Sequence, residues 1–278
     1  MKISANPHRH FLALGLSAAL ILAACQSVQT TQPGVVGVER KQTMTSLLPV
    51  AQVNSGAEKA YQQVLGEARK KNQLNRDAAQ LARVKRVAER LIPATTAFRN
   101  DAPGWKWEVN VITSAEVNAW CMPGGKIAFY TGLIEKLQVS DDEMAAVMGH
   151  EIAHALREHG RERASQAVLQ SAVLNIGAAL LGVGGAAVDL SSTILDVTFN
   201  LPNSRQDEIE ADRIGVELAA RAGFDPHAAV SLWQKMNRLD GGRGPAFLST
   251  HPSPENRIKD LQAYSERVMP LYQAARKR

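Results

Sequence analysis

Met148 to Gly160 reads "MGHEIAHALREHG" and constrains this chain more than any other stretch. His150 and His154 stand four residues apart, so on a helix they share one face, one turn from each other. Met144, Val147, Met148, Ile152 and Ala153 around them are apolar, so the helix is destined for an interior. Two histidines and a glutamate buried there without partners would cost several kcal/mol. Something must therefore sit opposite the imidazoles, and a divalent cation is the partner that both can face at once.

Zinc suits such a site, because it accepts imidazole and prefers four ligands. Glu151 follows the first histidine, so it leans toward the ion without binding it and can take a proton from water. The H-E-x-x-H pattern is the metalloprotease signature. A catalytic site of this kind needs a third protein ligand. "SRQDEIEADRIG" (Ser204 to Gly215) supplies acids on a predicted helix, with Glu208 and Asp212 on one face and Glu210 on another. Of Glu208 and Asp212, one can bind the metal while the other orients a ligand histidine; spacing alone does not choose between Glu208 and Glu210 as the ligand.

The flanking chain reads as mainly α with a small β-sheet, an α+β fold. Ser55 and Glu58 form a capping-box pattern that predicts a helix to about Lys71, and a second helix spans about 77–97. "WKWEVNVI" alternates as a strand, with further strands near 117–121 and 126–130 around a Pro123-Gly124-Gly125 turn. Ser140 and Glu143 cap the helix of the quoted stretch. Helices follow over 204–222, from Asp225-Pro226, and from Ser253-Pro254 to about Ala274. Residues 164–188 lack charge, and their glutamines and glycines favour a buried helix or hairpin over a membrane span.

The N-terminus has basic residues Lys2 and Arg9, an apolar run from Phe11 to Ala24, and Cys25. The run is short for a membrane span of roughly 20 residues and fits a secretory signal. "LAAC" resembles a bacterial lipobox, which implies cleavage before Cys25, lipid on its thiol and, with Gln26 next, the outer membrane facing the periplasm. The domain reading is thus a signal peptide over 1–24, a lipidated flexible tether over 25–54 and a peptidase domain over 55–278. Cys121 is left without an intramolecular partner and reads as a small buried hydrophobe. The net charge of +5 is too diffuse, and too little interleaved with aromatics, to point to nucleic acid.

"HEIAH", "SRQDEIEADRIG" and "THPSPENRI", in that order, resemble the zinc metallopeptidase family of the CAAX prenyl protease and the HtpX heat-shock protease. The likeness is greatest to its periplasmic members, such as the β-barrel assembly-enhancing protease and outer-membrane lipoprotein metalloproteases. "VNAWCMPGGKIAFYTGLI" also resembles the family's strand segment, although Trp120-Cys121-Met122 departs from its small apolar run. The resemblance implies a zincin-like (gluzincin) domain with one zinc ion per chain. It implies Glu208 as the third ligand, Asp212 as the carboxylate behind a ligand histidine, and His251 as a fourth ligand that blocks the site at rest. It further implies Arg257 as an oxyanion stabiliser. Lys126, Ile127, Ala128 and Phe129 are expected on an edge strand that pairs with substrate backbone. The expected activity is endopeptidase action on misfolded or misassembled envelope proteins, with Glu151 as general base. The alternative is a chaperone-like lipoprotein that assists outer-membrane protein assembly around a largely structural zinc.

Overall fold

The structure, a computed structural model, describes residues 25–180, 189–239, 246–253 and 255–277. Residues 1–24, expected to be a signal peptide, residues 181–188 of the uncharged stretch, residues 240–245, Pro254 and Arg278 lie outside the described residues. Strands β1 (Cys25–Val28) and β2 (Gln42–Thr45) form an antiparallel pair, followed by helices α1 (Val50–Lys70) and α2 (Ala78–Ala94). The sheet strands β3 (Glu108–Ile112), β4 (Ala119–Met122) and β5 (Lys126–Tyr130) come next. Helices α3 (Thr131–Lys136), α4 (Asp141–Leu156), α5 (His159–Leu180) and α6 (Leu190–Phe199) follow. The chain then builds α7 (Arg205–Arg221), α8 (Ala228–Arg238), α9 (Ala246–Thr250) and α10 (Arg257–Ala275). The α+β reading holds.

The three-stranded sheet divides the interior by its pleat. Val111, Ala119, Cys121, Ile127 and Phe129 join the larger core with α2, α4, α7 and α8. Ile112, Trp120, Met122 and Ala128 point the other way, into a smaller core with α1 and Ile194 of α6. Cys121 is a free, buried thiol within the first of these, as its context predicted.

Two expectations need correction. β5 is the central strand, parallel to β3 and antiparallel to β4. Its backbone groups are committed on both sides, so Lys126, Ile127, Ala128 and Phe129 cannot pair with a substrate. The edge on the metal-helix side is β4. Residues 26–54 are not a flexible tether either. Val36, Val38, Gln42 and Met44 are buried, and α1 starts at Val50 after Pro49 rather than at Ser55. The polar composition concealed this because polar side chains hold the segment in place alongside the few buried apolar ones, Val36, Val38 and Met44.

The metal helix α4 and the acid helix α7 meet through glycines. A Cβ on Gly215 would lie 2.7 Å from the His150 backbone nitrogen, and one on Gly149 would lie 2.8 Å from the Gly215 carbonyl oxygen. Only glycine at both positions lets the two backbones approach this closely. That approach carries His150 and His154 to Glu208 and Asp212. α5 absorbs the uncharged stretch up to Leu180. Among the described residues, no helix is long and apolar enough to cross a membrane.

Candidate metal centre

α4 begins with a complete capping box. Ser140 accepts the Glu143 backbone N–H, and the Glu143 side chain accepts the Ser140 N–H. Such a cap stabilises a helix by about 1 kcal/mol and sets its phase. His150, Glu151 and His154 are all buried. The two imidazoles present Nε2 atoms 3.1 Å apart. Glu208, from the first turn of α7, places its oxygens 3.5 Å from His150 Nε2 and 3.3 Å from His154 Nε2. His251, just beyond α9, brings Nδ1 to 3.2 Å from His150 Nε2 and 3.0 Å from Glu208 Oε1. These four residues form one candidate ligand group, fully buried.

The spacing fits a tetrahedral ion. Ligand atoms bonded at 2.0–2.1 Å would stand about 3.3 Å apart. The protonation pattern fits as well. His150 Nδ1 lies 3.0 Å from Asp212 Oδ1 and must donate to it. His154 Nδ1 is likewise engaged, 2.9 Å from His159 Nδ1. Both Nε2 atoms therefore turn lone pairs toward one point already faced by a carboxylate. Three imidazoles and a carboxylate suit a borderline cation such as zinc.

The electrostatics match a cation-ready pocket. Burial works to raise the Glu208 carboxyl, yet the charges of His251 and His150 hold it well below its ordinary value. Burial works to lower His150, yet Glu208 and Asp212 raise it to about 9 in the metal-free protein. His154, with no carboxylate directly behind it, is pushed well below its ordinary value by burial. Glu151 is raised, again by burial.

Glu151 is turned toward a cleft lined by Trp120, Cys121, Pro123, Arg163, Asn203 and His251. Its Oε1 has no hydrogen-bond partner among the described residues and lies 3.5 Å from His251 Nε2. The Cys121 backbone N–H bonds its carboxylate, which ties the acid to β4. His251 is stacked on Phe247, ring centroids 4.2 Å apart, and Asn203 Nδ2 lies 3.1 Å from its Nδ1. That ring stands beside the two imidazoles and Glu208, on the side of the cleft.

Arg257 is not where an oxyanion stabiliser would stand. It donates to Asp212 Oδ2 at 2.6 Å and to Glu208 Oε2 at 2.7 Å, and its guanidinium lies 3.4 Å from the Trp233 ring centroid. It is buried behind the ligands, away from the cleft, where the two carboxylates draw it in. Its role is to position them. Glu210, left open against Glu208 by spacing, faces away from the metal group and meets His159, Arg157 and Arg40.

Sequence reasoning missed His159 and Arg40. His159 stands five residues after His154, off the shared face of a continuous helix. The helix is not continuous there: α4 ends at Leu156, Glu158 has φ 54, and α5 starts at His159. The break swings His159 back onto His154. No local pattern announces Arg40; only the acids of "SRQDEIEADRIG", too many for one metal, hinted at a second positive partner.

Residues 78–265 match the profile of peptidase family M48. The chain is 36% identical over 183 residues to the mitochondrial metalloendopeptidase OMA1 of Schizosaccharomyces pombe, covering 65% of this chain and 52% of that protein. It is 31% identical over 173 residues to the beta-barrel assembly-enhancing protease of Escherichia coli, covering 58% of this chain and 35% of that protein. It is 25% identical over 253 residues to the metalloprotease LoiP of Escherichia coli, covering 90% and 94%. The chain spans about half the length of the OMA1 relative and about a third of the assembly-enhancing protease.

Proposed function

This chain belongs to peptidase family M48, and from that premise we propose that it is a zinc-dependent endopeptidase of the bacterial periplasm that degrades misfolded or misassembled envelope proteins. The observation that carries the reading is the convergence of His150, His154 and Glu208 on one point, with the Glu151 carboxylate beside it. The envelope assignment draws on the names of the assembly-enhancing protease and on the lipobox-like "LAAC". Lipid on Cys25 would anchor the protein to the outer membrane. β1 begins at Cys25, so the peptidase domain would then lie close to the bilayer surface.

A zinc ion held by His150, His154 and Glu208 supplies Lewis-acid polarisation of the scissile carbonyl and acidifies water. Glu151 accepts the water proton and later delivers it to the leaving amine, and burial raises its carboxyl above the ordinary value. Asp212 keeps the His150 proton on Nδ1, and Arg257 holds Glu208 and Asp212 in register. The substrate backbone pairs with β4 rather than β5. At that edge the Cys121 N–H is held by Glu151 and the Ala119 N–H by the Asn118 side chain. A peptide strand would replace those contacts.

His251 makes this a self-inhibited state. Its departure, with the α9 segment, opens the fourth position for water and substrate. His251→Ala is expected to change the rate of casein cleavage, and an unchanged rate would refute the inhibitory role. Glu151→Gln is expected to keep zinc while losing hydrolysis by roughly 10²–10⁴-fold. Full activity in that variant removes the mechanism.

The filled fourth position favours a second reading, a chaperone-like lipoprotein with a structural zinc, since closed four-ligand sites are the structural kind. Chelator-sensitive cleavage of casein by the purified protein separates the two.

A further inference from the structure

Beside the metal group lies a second buried cluster: His159, Asp207 and Glu210, with Glu162 close by. Its three members have the spacing of a metal site, but two guanidinium groups already occupy it. Arg157, fully buried, donates through Nε to Glu210 Oε2 at 2.9 Å. Arg40 bonds Glu210 through Nε, donates to Asp207 Oδ1 at 2.7 Å and forks onto both oxygens of Glu162 at 3.0 and 3.1 Å. Two arginines thus tie three carboxylates together, and the cluster is a buried ion-pair network.

This network is wired to the metal group. His154 turns Nε2 to the metal point, so its Nδ1 carries the proton and donates to His159 Nδ1 at 2.9 Å. His159 then carries its own proton on Nε2, which lies 3.2 Å from Glu210 Oε2 and 3.5 Å from Asp207 Oδ1. The order of support is Arg40, Glu210, His159, His154. Arg40 comes from residues 30–45, a strap that crosses the α4–α5 junction. Thr30 donates to the Arg157 carbonyl, Gln42 bonds the same carbonyl, and the Thr43 N–H reaches Glu162 Oε1 at 3.0 Å. Arg157 returns a bond to the Arg40 carbonyl at 2.7 Å. The strap lies wholly before the family-matched residues 78–265.

We propose that this strap is a working part of the metal centre: Arg40 is a positioning residue that fixes Glu210 and His159, and through them the orientation of His154 at the metal. The proposal rests on His154 being a metal ligand. Partners behind a ligand histidine set its ring plane and basicity, and losing one weakens binding by about 10–100-fold. Without Arg40, three carboxylates crowd one guanidinium, Glu210 moves, and His159 loses the acceptor that holds its ring.

The test measures zinc dissociation constants of the full chain by chelator competition, with Co(II) absorption as a second readout. Arg40→Met is expected to weaken zinc binding by about tenfold and to alter the Co(II) visible bands. Arg40→Lys keeps the charge but not the fork, so it gives a smaller loss in the same direction and a folded comparison should Arg40→Met prove unstable. In a His159→Asn background, Arg40→Met should weaken zinc no further, because both residues act along one chain of bonds. Leu91→Ala, buried in the larger core away from the network, should lower Tm while leaving zinc affinity and the Co(II) bands unchanged. The proposal is overturned if Arg40→Met and Arg40→Lys bind zinc like the wild type, if Leu91→Ala reproduces their loss, or if the Arg40 and His159 losses simply add. Wild-type protein that takes up no zinc in the same assay would instead overturn the assignment of the metal ligands, and the proposal with it.

Discussion

The two ligand histidines sit one turn apart on one helix, yet they are held in opposite ways. His150 bonds Asp212 directly, and one buried arginine, Arg257, locks that acid together with Glu208. His154 bonds another histidine, and the charges that hold it stand one residue further away, shared among Arg157, Arg40 and three carboxylates. The first arrangement is short, dry and built within the family-matched region. The second is longer and reaches a partly exposed arginine on an N-terminal strap. The difference shows in the ionisation of the rings: His150 is raised to about 9 by its acids, and His154 is driven down by burial. A short support should be strong and brittle, and a shared one weaker and adjustable from outside the site.

Breaking the short side should have the largest effect. Arg257→Met takes the guanidinium from two buried carboxylates and is expected to lower the stability of the metal-free protein by about 3–5 kcal/mol. Urea unfolding checks it; a loss no greater than that of Arg40→Met would erase the contrast between the two sides. Gly215→Ala acts on both sides at once, since its methyl would meet the His150 backbone at 2.7 Å. Forcing α4 and α7 apart should cost about 1–3 kcal/mol and weaken zinc binding. Unchanged unfolding and zinc uptake would mean that the helix crossing does not depend on that contact. Asp212→Ala removes the direct partner of His150 and should weaken zinc by about 10–100-fold, more than Arg40→Met does. Chelator competition ranks the two, and the reverse order would show the shared support to be the stronger.

The smallest effect concerns acid. Burial works to raise Glu210, but His159 and the arginines hold it at about 2, below its ordinary 4.5. A carboxyl lowered on folding stabilises the protein above its unfolded value, and that stability is lost as pH falls through the folded one. Metal-free protein should therefore lose stability between pH 4.5 and about 2. Glu210→Gln should flatten that part of the curve, and a curve that keeps its slope would place the titrating acid elsewhere.

Much of this molecule was legible where local chemistry decides. The Ser140 and Ser204 capping boxes set the phases of α4 and α7, and Gly223, with φ +75, ends α7. Those two helices hold three of the four candidate ligands. Legibility failed where distant partners decide. Whether β5 is an edge or a centre depends on β3 pairing with it directly, past β4, which intervenes only in the sequence. The resemblance makes Arg257 an oxyanion stabiliser, but two acids draw it behind the site. The strap has little apolar periodicity because Arg40, Gln42 and Thr43 bind it to α4 and α5 by polar contacts over more than a hundred residues of separation. His159 was hidden by a helix break at Glu158 that no spacing rule anticipates.

The central claim is one cation held by His150, His154 and Glu208. Metal analysis of protein purified with limiting zinc tests it most directly when wild type, Glu208→Gln and Glu210→Gln are compared. The account predicts one zinc per chain in the wild type, its loss in Glu208→Gln, and retention at reduced affinity in Glu210→Gln. A wild type without stoichiometric metal, or a Glu208→Gln protein that binds zinc as the wild type does, would contradict it.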